Sequence, residues 1–595
     1  TNADFMAGKY AFVGTPNDGK IINRASLIAQ NEGTVALLGK DVRNEGVIVA
    51  RKGAAVLTAG EAVSLDFNGD GKVSVVPTKA AMEQAVMNKG LVEADGGLVF
   101  MSAATGDALT LSAVNQEGIV RASSLDGTAG TVRMTANDVR LAAGSVTDVS
   151  GAKAGTVEIG GGWQGTGDLA HARNVIIERG AAVRADATEP GHAGGTVAVW
   201  SDGMTKFAGE ITARGKGTGA GGAVETSGAK VQITGSVNAS SEAGKGGEWL
   251  IDPEDIEVKE RLAGDPLLGN SMADVQTVTD TLNNGTSVSI QTANYLTATD
   301  DNSITVSKAI TKTAGGDATL SLKATGNISI NADIKSTAGA LHLDVLSDTN
   351  GRAGGNISVA DGVQIRTRGG NVKLGGGLTE HGIGFANSPN TGVSGIDLGS
   401  ATIDTNSWSG SGSIEMAGST TTAAAGVKLA GTQIDVGMGK VTIVGKSQSG
   451  KGIELNAAAA IAANDVELRT DSLTLDGTIS DPGIPGNTAQ IRTLTDGKTI
   501  NFGTGSGGLD LAGDTFGGKI RGFIKNIVGD ENQKADIKVG GVTADRDLDI
   551  YTGAGKLTVS GAVTVSPSRT LTLGSKNAIT GAGVITTDTA VLEAA

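Results

Sequence analysis

The chain has 595 residues and a formal net charge of −15, with 93 Gly, 9 Pro, no Cys and only 3% aromatic residues. The acidity argues against a nucleic-acid partner, which would require a basic stripe on the surface. Gly stands at roughly twice its usual share of about 7%, but the few Pro and the lack of a three-residue period exclude collagen.

The first 260 residues contain a glycine-punctuated pair of short strands that returns about every 25 residues. One member reads Gly-x-Val/Ile-x-Ala and occurs at Gly46–Ala50, Gly90–Ala94, Gly118–Ala122, Gly209–Ala213 and Gly235–Ala239. The other is a Gly before an apolar run; Gly130, Gly155, Gly195, Gly222 and Gly247 are spaced by 25, 40, 27 and 25 residues. Repeats of this length are typical of stacked units that share one core. The sequence therefore predicts an all-β solenoid with a narrow interior of Val, Ile, Leu and Ala.

The repeat length also predicts the dimensions of the molecule. Neighbouring coils of such a stack lie about 4.8 Å apart, so coils of roughly 20–27 residues give a rod on the order of 110–140 Å long. We expect this rod to be monomeric.

Two segments of the sequence favour helices. Lys79–Asn88 is rich in Ala, Met, Glu and Gln behind Thr78, and we expect it to leave the coil as an excursion. Ala273–Leu282 is the second predicted helix, with Ser271 as its cap and an Asn-Asn-Gly end.

A change of texture divides the chain into three predicted segments. Glycine pairs become rarer and Ser/Thr alternation increases after Trp249–Pro253. We therefore expect a first segment at 1–259, a β-helical continuation with Ser/Thr/Asn-rich repeats at 260–480, and less regular repeats at 481–595. Thr515–Asn532 is the stretch least like the repeat.

One motif suggests a calcium site. Asp66, Asn68 and Asp70 precede Gly71 at the spacing of the first half of a calcium loop. The twelfth position, where a bidentate Glu is expected, is Pro77. A metal-free Asn/Asp/Gly turn explains the same residues, so both interpretations stay open, and no other cofactor is expected.

An enzymatic function has weaker support in the sequence. Four His share no spacing typical of a metal site, namely His171, His192, His342 and His381. A β-helical glycosidase or lyase would need carboxylates such as Asp404, Asp435, Asp465, Asp471 and Asp476 to converge on one face beside aromatic sugar platforms. Three Trp beside glycine turns are expected to cap or cover the coil, with ligand stacking as the alternative, namely Trp163, Trp200 and Trp249.

An ordered series of motifs resembles the filamentous haemagglutinin family, the large exoproteins of bacterial two-partner secretion. The series covers about 1–380 and comprises Leu65–Gly71, Gly155–Gly165, Val199–Gly203, Val224–Gly228 and Gly246–Pro253. The later segments Ala309–Leu320 and Gly369–Gly376 resemble the high-molecular-weight adhesin branch of that family.

The resemblance implies a right-handed parallel β-helix with short extra-helical excursions. It also implies export through an outer-membrane β-barrel transporter to the extracellular cell surface, and a non-enzymatic role in attachment, biofilm formation or virulence. The expected ligand is a host receptor, a glycan or a biofilm polysaccharide. The family carries Asn-Pro motifs near the start of its secretion domain and this sequence has none, so we expect the export signal upstream of Thr1.

Two other functions remain open at this stage. The first is a β-helical carbohydrate-active enzyme. The second is the stalk of a toxin-delivery or haem-acquisition exoprotein.

Overall fold

The structure is a computed structural model that divides the chain into two compact units. It describes residues 11–13, 19–60, 62–65, 75–77, 83–103, 111–261, 270–292, 302–351, 354–380, 383–408, 410–483, 487–505 and 507–594. The first unit comprises Thr1–Ala293 with Ala314–Ala318, and the second comprises Asn294–Thr313 with Thr319–Ala595.

Both units are built from coils of three short strands. In the coil of Asp138–Leu141, Val146–Asp148 and Thr156–Ile159, each strand pairs in parallel with its counterparts in neighbouring coils. We call the three resulting stacks of strands ladders A, B and C, in the order in which the chain visits them. This arrangement confirms the predicted parallel β-helix.

The ladders of the first unit run through eight to ten strands each. Ladder A contains Lys20–Asn23, Asp41–Asn44, Glu83–Asn88, Leu111–Gln116, Asp138–Leu141, Asn174–Ile177, the ends of Thr196–Phe207 and Ala223–Ile233, Met272–Asp274 and Ile256–Lys259. Ladder B contains Ser26–Ile28, Val47–Val49, Leu91–Glu93, Ile119–Arg121, Val146–Asp148, Ala182–Arg184, Glu210–Thr212 and Ser236–Asn238. Ladder C contains Thr34–Gly39, Ala54–Ala59, Leu98–Ala103, Thr131–Ala136, Thr156–Ile159, Thr196–Phe207, Ala223–Ile233, Glu248–Ile251 and Ser287–Gln291.

The second unit repeats the same plan. Ladder A contains Ile304–Val306, Ile328–Ile330, Ile357–Val359, Ile396–Asp397, Val427–Leu429, Ile453–Leu455 and Leu473–Leu475, then a sheet of Leu509–Leu511, Ile500–Phe502, Ile537–Val539, Lys556–Val559 and Ala578–Gly581. Ladder B contains Ile310–Lys312, Ile334–Ser336, Gln364–Arg366, Thr402–Asp404, Gln433–Asp435, Ala460–Ala462, Thr478–Ser480 and Ile520–Arg521, then a sheet of Val542–Ala544, Val563–Val565 and Ile585–Thr586. Ladder C contains Ala318–Lys323, Leu341–Ser347, Val372–Gly376, Ile414–Thr420, Lys440–Ser447, Asp465–Thr470, Thr488–Arg492, Lys525–Asp530, Asp547–Thr552, Thr570–Ser575 and Thr589–Ala594.

Short excursions depart from the ladders in each unit. In the first unit, Ala11–Val13, Ala62–Leu65 and Val75–Pro77 form a separate antiparallel sheet. In the second unit, Leu378–Glu380 pairs antiparallel with Ile383–Ser388. Trp163–Gly165 and Thr515–Lys519 are single helical turns. After the latter, the stretch least like the repeat returns to ladders B and C.

The core of each unit is a set of columns in which like residues stack on like. The inward column of ladder B in the second unit consists of eight isoleucines, Ile310, Ile334, Ile365, Ile403, Ile434, Ile461, Ile479 and Ile520. None of them is more than 3% exposed. A branched side chain that packs well on its neighbour one coil away packs equally well in every coil, so the same residue type recurs.

The recurring glycines are explained by the close approach of successive coils. A Cβ added at Gly90 would lie 2.0 Å from the carbonyl oxygen of Gly46, and one at Gly222 would lie 2.1 Å from that of Gly195. Both separations are far below contact distance. The corner between two ladders leaves no room for a side chain at these two positions, which explains why both members of the sequence couplet begin with Gly.

A column of buried amides continues the interior of ladder A in the first four coils. Asn23 Nδ2 donates to Asn44 Oδ1 at 2.8 Å, Asn44 Nδ2 to Asn88 Oδ1 at 2.9 Å, and Asn88 Nδ2 to Gln116 Oε1 at 2.8 Å. Gln116 Nε2 ends the chain of hydrogen bonds on the carbonyl oxygens of Gly118 and Val146. An amide both donates and accepts, so this column satisfies its own polar groups at each coil spacing.

The first predicted helix is wrong where the structure describes it. Glu83–Asn88 is a strand of ladder A that pairs with Asp41–Asn44 and Leu111–Gln116, while 78–82 lie outside the described residues. Local helix propensity is outweighed here by pairing on both edges and by the place of Asn88 in the amide column.

The second predicted helix is confirmed, with a different cap. It spans Val275–Asn283, and Asp274 Oδ1 accepts from the Gln276 N–H at 3.2 Å. Ser271 instead accepts from the Val231 N–H. Thr281 and Asn284 donate to the Val237 carbonyl oxygen, so the helix covers the edge of ladder B at its last strand in this unit.

The inward column of ladder C generates our first prediction. Val197 is fully buried between Val157 and Val224. Val197→Asp would place an unpaired carboxylate in a narrow interior that cannot relax, at a cost of several kcal/mol. We expect a much lower melting temperature for Val197→Asp than for the exposed His192→Ala, and equal thermal melts would contradict this packing.

The amide column generates a second prediction. Asn88→Ala would remove the donor to Gln116 and the acceptor for Asn44, and should destabilise the protein by about 1–3 kcal/mol. Chemical denaturation should show no comparable loss for Asn115→Ala, a half-buried amide on the neighbouring strand. A similar loss in both variants would mean that the column contributes nothing specific.

Candidate functional site

The outward side of ladder C in the first unit carries a column of mixed polarity. Ala36, Val56, Phe100, Arg133, Glu158, Ala198, Glu225, Leu250 and Ser289 follow one another in register. Its first members pack with Leu169 in an apolar cluster outside the coil. Polar residues follow, and the motifs Val199–Gly203, Val224–Gly228 and Gly246–Pro253 lie here on adjacent coils.

A glycine-rich loop covers the polar part of this column. Gly161 and Gly165 lie against the Trp200 ring so closely that an added Cβ would come within 2.8 Å and 2.7 Å of it. Trp200 Nε1 donates to Asp202 Oδ1 at 3.2 Å, and His171 Nδ1 lies 2.9 Å from the same oxygen. The loop Gly160–Gly165, which follows the ladder C strand of its own motif, therefore covers the neighbouring strand that carries Trp200. We call this region the Trp200 cover.

Two buried carboxyl groups belong to this region, Glu225 beneath the cover and Asp252 on the next coil. Burial raises the pKa of Glu225 to about 7, with Asp252 nearby adding to the rise and the hydrogen bond from the Gln164 N–H opposing it. That bond measures 2.7 Å. Burial also raises the pKa of Asp252 to about 6, against a hydrogen bond from Gln291 Nε2 to Asp252 Oδ2.

This arrangement suits a proton-dependent structural contact better than catalysis. Glu225 is fully buried, so a substrate has no direct approach to its carboxyl group. Loss of its proton places a charge beside another acidic group in a poorly solvated space, which weakens the packing of the cover.

A second candidate is an open pocket on the outward side of ladder A, which we call the ladder A pocket. It encloses about 240 Å³ and is lined by residues of three successive coils and the segment that follows, Ile176, Ile177, Glu178, Arg179, Lys206, Phe207, Ala208, Gln232, Thr234, Arg261 and Met272. Ile176, Lys206 and Gln232 are in register along its floor.

In the second unit, a buried carboxylate is surrounded by cations. Burial acts to raise the pKa of Glu467, but hydrogen bonds from Arg469, Lys440 and Arg492 outweigh it and lower the value to about 2. Arg492 Nη1 also binds Asp530 at 2.6 Å. Both carboxylates of this network are paired with cations, which indicates a structural role.

The predicted calcium residues Asp66, Asn68 and Asp70 lie outside the described residues, so the calcium site stays a prediction. Within the part of the chain that the structure describes, no three His, Cys, Asp or Glu side chains are placed to hold a metal ion. His171 contacts Asp202, His342 Nδ1 accepts from the Asn371 N–H, and His192 is exposed. His381 is outside the described residues.

The five aspartates do not converge on one face. Asp404 and Asp435 stack in ladder B, and each accepts from a backbone N–H two residues later. Asp465 and Asp471 accept from residues near the Thr488–Arg492 strand, and Asp476 follows the strand Leu473–Leu475. These contacts stabilise turns and neighbouring coils.

Two of the three tryptophans are buried in or against the coil. Trp249 is fully buried in the inward column of ladder C, and its Nε1 donates to Thr226 Oγ1 at 2.9 Å. Trp200 is 6% exposed beneath the glycine loop, and Trp163 begins the helical turn of that loop.

Sequence reasoning missed Glu225, Asp252 and Gln232. No signal in the sequence marked these residues, because Glu225 and Gln232 occupy outward strand positions, where a polar residue is ordinary. Only the covering loop and the neighbouring coils make them buried, and those contacts cannot be read from a single strand.

No protein-family model and no curated protein matches the chain. Among solved structures, it is similar to the crystal structure of the HMW1 secretion domain from Haemophilus influenzae. The sequence identity is 26%, over 42% of this chain and 72% of that chain, with a TM-score of 0.33. No helix among the described residues is long and apolar enough to cross a membrane.

The raised pKa of Glu225 generates a third prediction. Above about pH 4.5 the carboxyl group is ionised in the unfolded chain but keeps its proton in the folded state. The contribution of the protonated group to stability is therefore complete below about pH 4.5 and is lost as the pH rises through about 7. At pH 8, Glu225→Gln should therefore have a higher melting temperature than the wild type, with a gain of up to about 3 kcal/mol in the free energy of unfolding. At pH 4 the two proteins should melt at the same temperature.

The exposed Glu210→Gln serves as the matched control for this experiment and should melt like the wild type at both pH values. Equal melting of the wild type and Glu225→Gln at pH 8 would contradict the burial of this carboxyl group.

Proposed function

We propose that the chain is part of a secreted bacterial surface adhesin that acts by attachment and has no catalytic activity. The observation that carries the proposal is the place of the motifs that resemble filamentous haemagglutinins. Four of these motifs, Gly155–Gly165, Val199–Gly203, Val224–Gly228 and Gly246–Pro253, lie on adjacent coils of a parallel β-helix, where the glycine loop contacts ladder C. Residues that carry the resemblance therefore form the surface of ladder C at the Trp200 cover.

A stacked β-helix suits attachment for a physical reason. Each coil adds three strands whose inward residues are fixed by packing, while the outward residues and the turns vary without disturbing the core. A ligand surface can thus extend over several coils. In this proposal an outer-membrane β-barrel transporter exports the chain, and a host receptor, a glycan or a biofilm polysaccharide binds it.

The β-helical carbohydrate-active enzyme is the second candidate. It is not favoured by the aspartates named above, which contact turns and neighbouring coils, nor by Glu225, which is sealed beneath the cover. A toxin-delivery or haem-acquisition stalk would have the same β-helical fold, so only an experiment distinguishes it from an adhesin.

Attachment is tested with the purified chain coupled to fluorescent beads. We expect more beads on epithelial cells or on a biofilm polysaccharide layer than with an unrelated acidic protein, and competition by free chain. Absence of competable attachment to both surfaces would contradict the proposal.

Two further assays on the same preparation test the alternatives. Release of reducing ends from polysaccharides would support the enzyme instead, and saturable haem binding seen in the Soret band would support haem acquisition.

A further inference from the structure

We propose that the ladder A pocket binds a small aliphatic carboxylate that also carries one amide or hydroxyl donor. Three features of the pocket together define this ligand: its charge, its apolar surface and a buried unpaired acceptor. The pocket lies within the first unit, and the proposal does not depend on the adhesive function.

The charge of the pocket is positive, although the chain as a whole is acidic. Arg179, Lys206 and Arg261 line it, with Glu178 as the only acidic lining residue. Glu178 binds Arg140 Nη2 at 2.7 Å and accepts from the Ala143 N–H at 3.0 Å, so its charge is already matched. Arg179 and Lys206 form no ion pair with any residue that the structure describes. An anion would therefore meet two cations that no carboxylate of the described residues pairs with.

The pocket surface restricts the kind of anion. Ile176, Ala208 and Met272 supply aliphatic surface, and Ile176 remains 36% exposed. Burying a doubly charged phosphate against such a surface would cost more in lost hydration than burying one carboxylate. An aliphatic body on the ligand would instead cover Ile176 and gain from leaving water.

The third feature is the side chain of Gln232. It is 8% exposed, and its Oε1 has no hydrogen-bond partner among the described residues. A buried acceptor without a partner is unfavourable, and a ligand N–H or O–H would satisfy it. The register places Gln232 directly beside Lys206. A ligand whose donor lies next to its carboxylate can thus reach both residues.

The volume of about 240 Å³ lies below the usual range for drug-sized ligands. It suits a compound the size of one acylated amino acid. N-acetyl-L-leucine has the three required parts, a carboxylate, an amide N–H and a branched aliphatic chain. A free acylated amino acid and the carboxyl-terminal residue of a peptide share this chemistry.

The test is a titration of the full chain with N-acetyl-L-leucine, followed by saturation-transfer NMR. We expect saturable binding with a dissociation constant on the order of 1 mM, as is usual for so small a ligand. N-acetyl-L-leucinamide lacks the charge, 4-methylpentanoate lacks the donor and glucuronate lacks the aliphatic body. Each should bind at least about fivefold more weakly.

Two variants place the binding in this pocket. Lys206→Met keeps the aliphatic stem and removes the charge, and should weaken binding about fivefold or more. Gln232→Leu should abolish the advantage of N-acetyl-L-leucine over 4-methylpentanoate while leaving thermal melting unchanged or raised. Lys230→Met changes an exposed lysine on the strand that carries Gln232. This variant is the matched control and should bind the ligand like the wild type.

A short peptide ending in leucine distinguishes the two sources of the ligand. Binding of the free-acid peptide but not of its amide extends the site to peptide ends, whereas binding of N-acetyl-L-leucine alone restricts it to free acids. No saturable binding of N-acetyl-L-leucine, equal binding of its amide, or unchanged binding in a folded Lys206→Met variant would each overturn the proposal.

Discussion

Every other feature of this protein depends on the in-register stacking of parallel strands. Coils about 4.8 Å apart leave space for one layer of side chains, so each inward residue contacts its counterparts in the coils before and after. The eight stacked isoleucines of the second unit and the amide column of the first unit obey the same rule. Their chemistry differs, but in both cases a residue is satisfied by neighbours of its own kind.

The same register organises the outside of the first unit. Outward residues also form columns, and what covers them determines their properties. Beneath the Trp200 cover, the column that contains Glu225 loses its contact with water, and an ordinary surface carboxyl group becomes one with a pKa of about 7. On ladder A the equivalent outward column borders an open pocket that is lined by cations and by aliphatic side chains.

The sequence predicted the fold because the constraints of the coil are local and repeated. Glycine is required at the corners where successive coils approach most closely, as at Gly90, and the couplet spacing reflects this requirement. The helix at Val275–Asn283 was predicted because its residues favour a helix and its end is marked by Asn-Gly.

The remaining features depend on contacts between distant residues. Glu83–Asn88 has the composition of a helix and becomes a strand because two neighbouring strands pair with it. The partners in the amide column are 21, 44 and 28 residues apart. The burial of Glu225 depends on a loop about 60 residues earlier. None of these relations leaves a periodic signal in the sequence.

The register itself can be tested by engineered disulfides, since the chain contains no Cys. Ile119 and Val146 are outward neighbours in adjacent coils of ladder B, at a spacing of about 4.8 Å that suits a disulfide. Asp148 lies two residues further along the same strand. After mild oxidation, mass spectrometry should find a disulfide in the variant Ile119→Cys, Val146→Cys. The control variant Ile119→Cys, Asp148→Cys should keep two free thiols. Equal oxidation of both pairs, or preferential oxidation of the second, would contradict the stacked register.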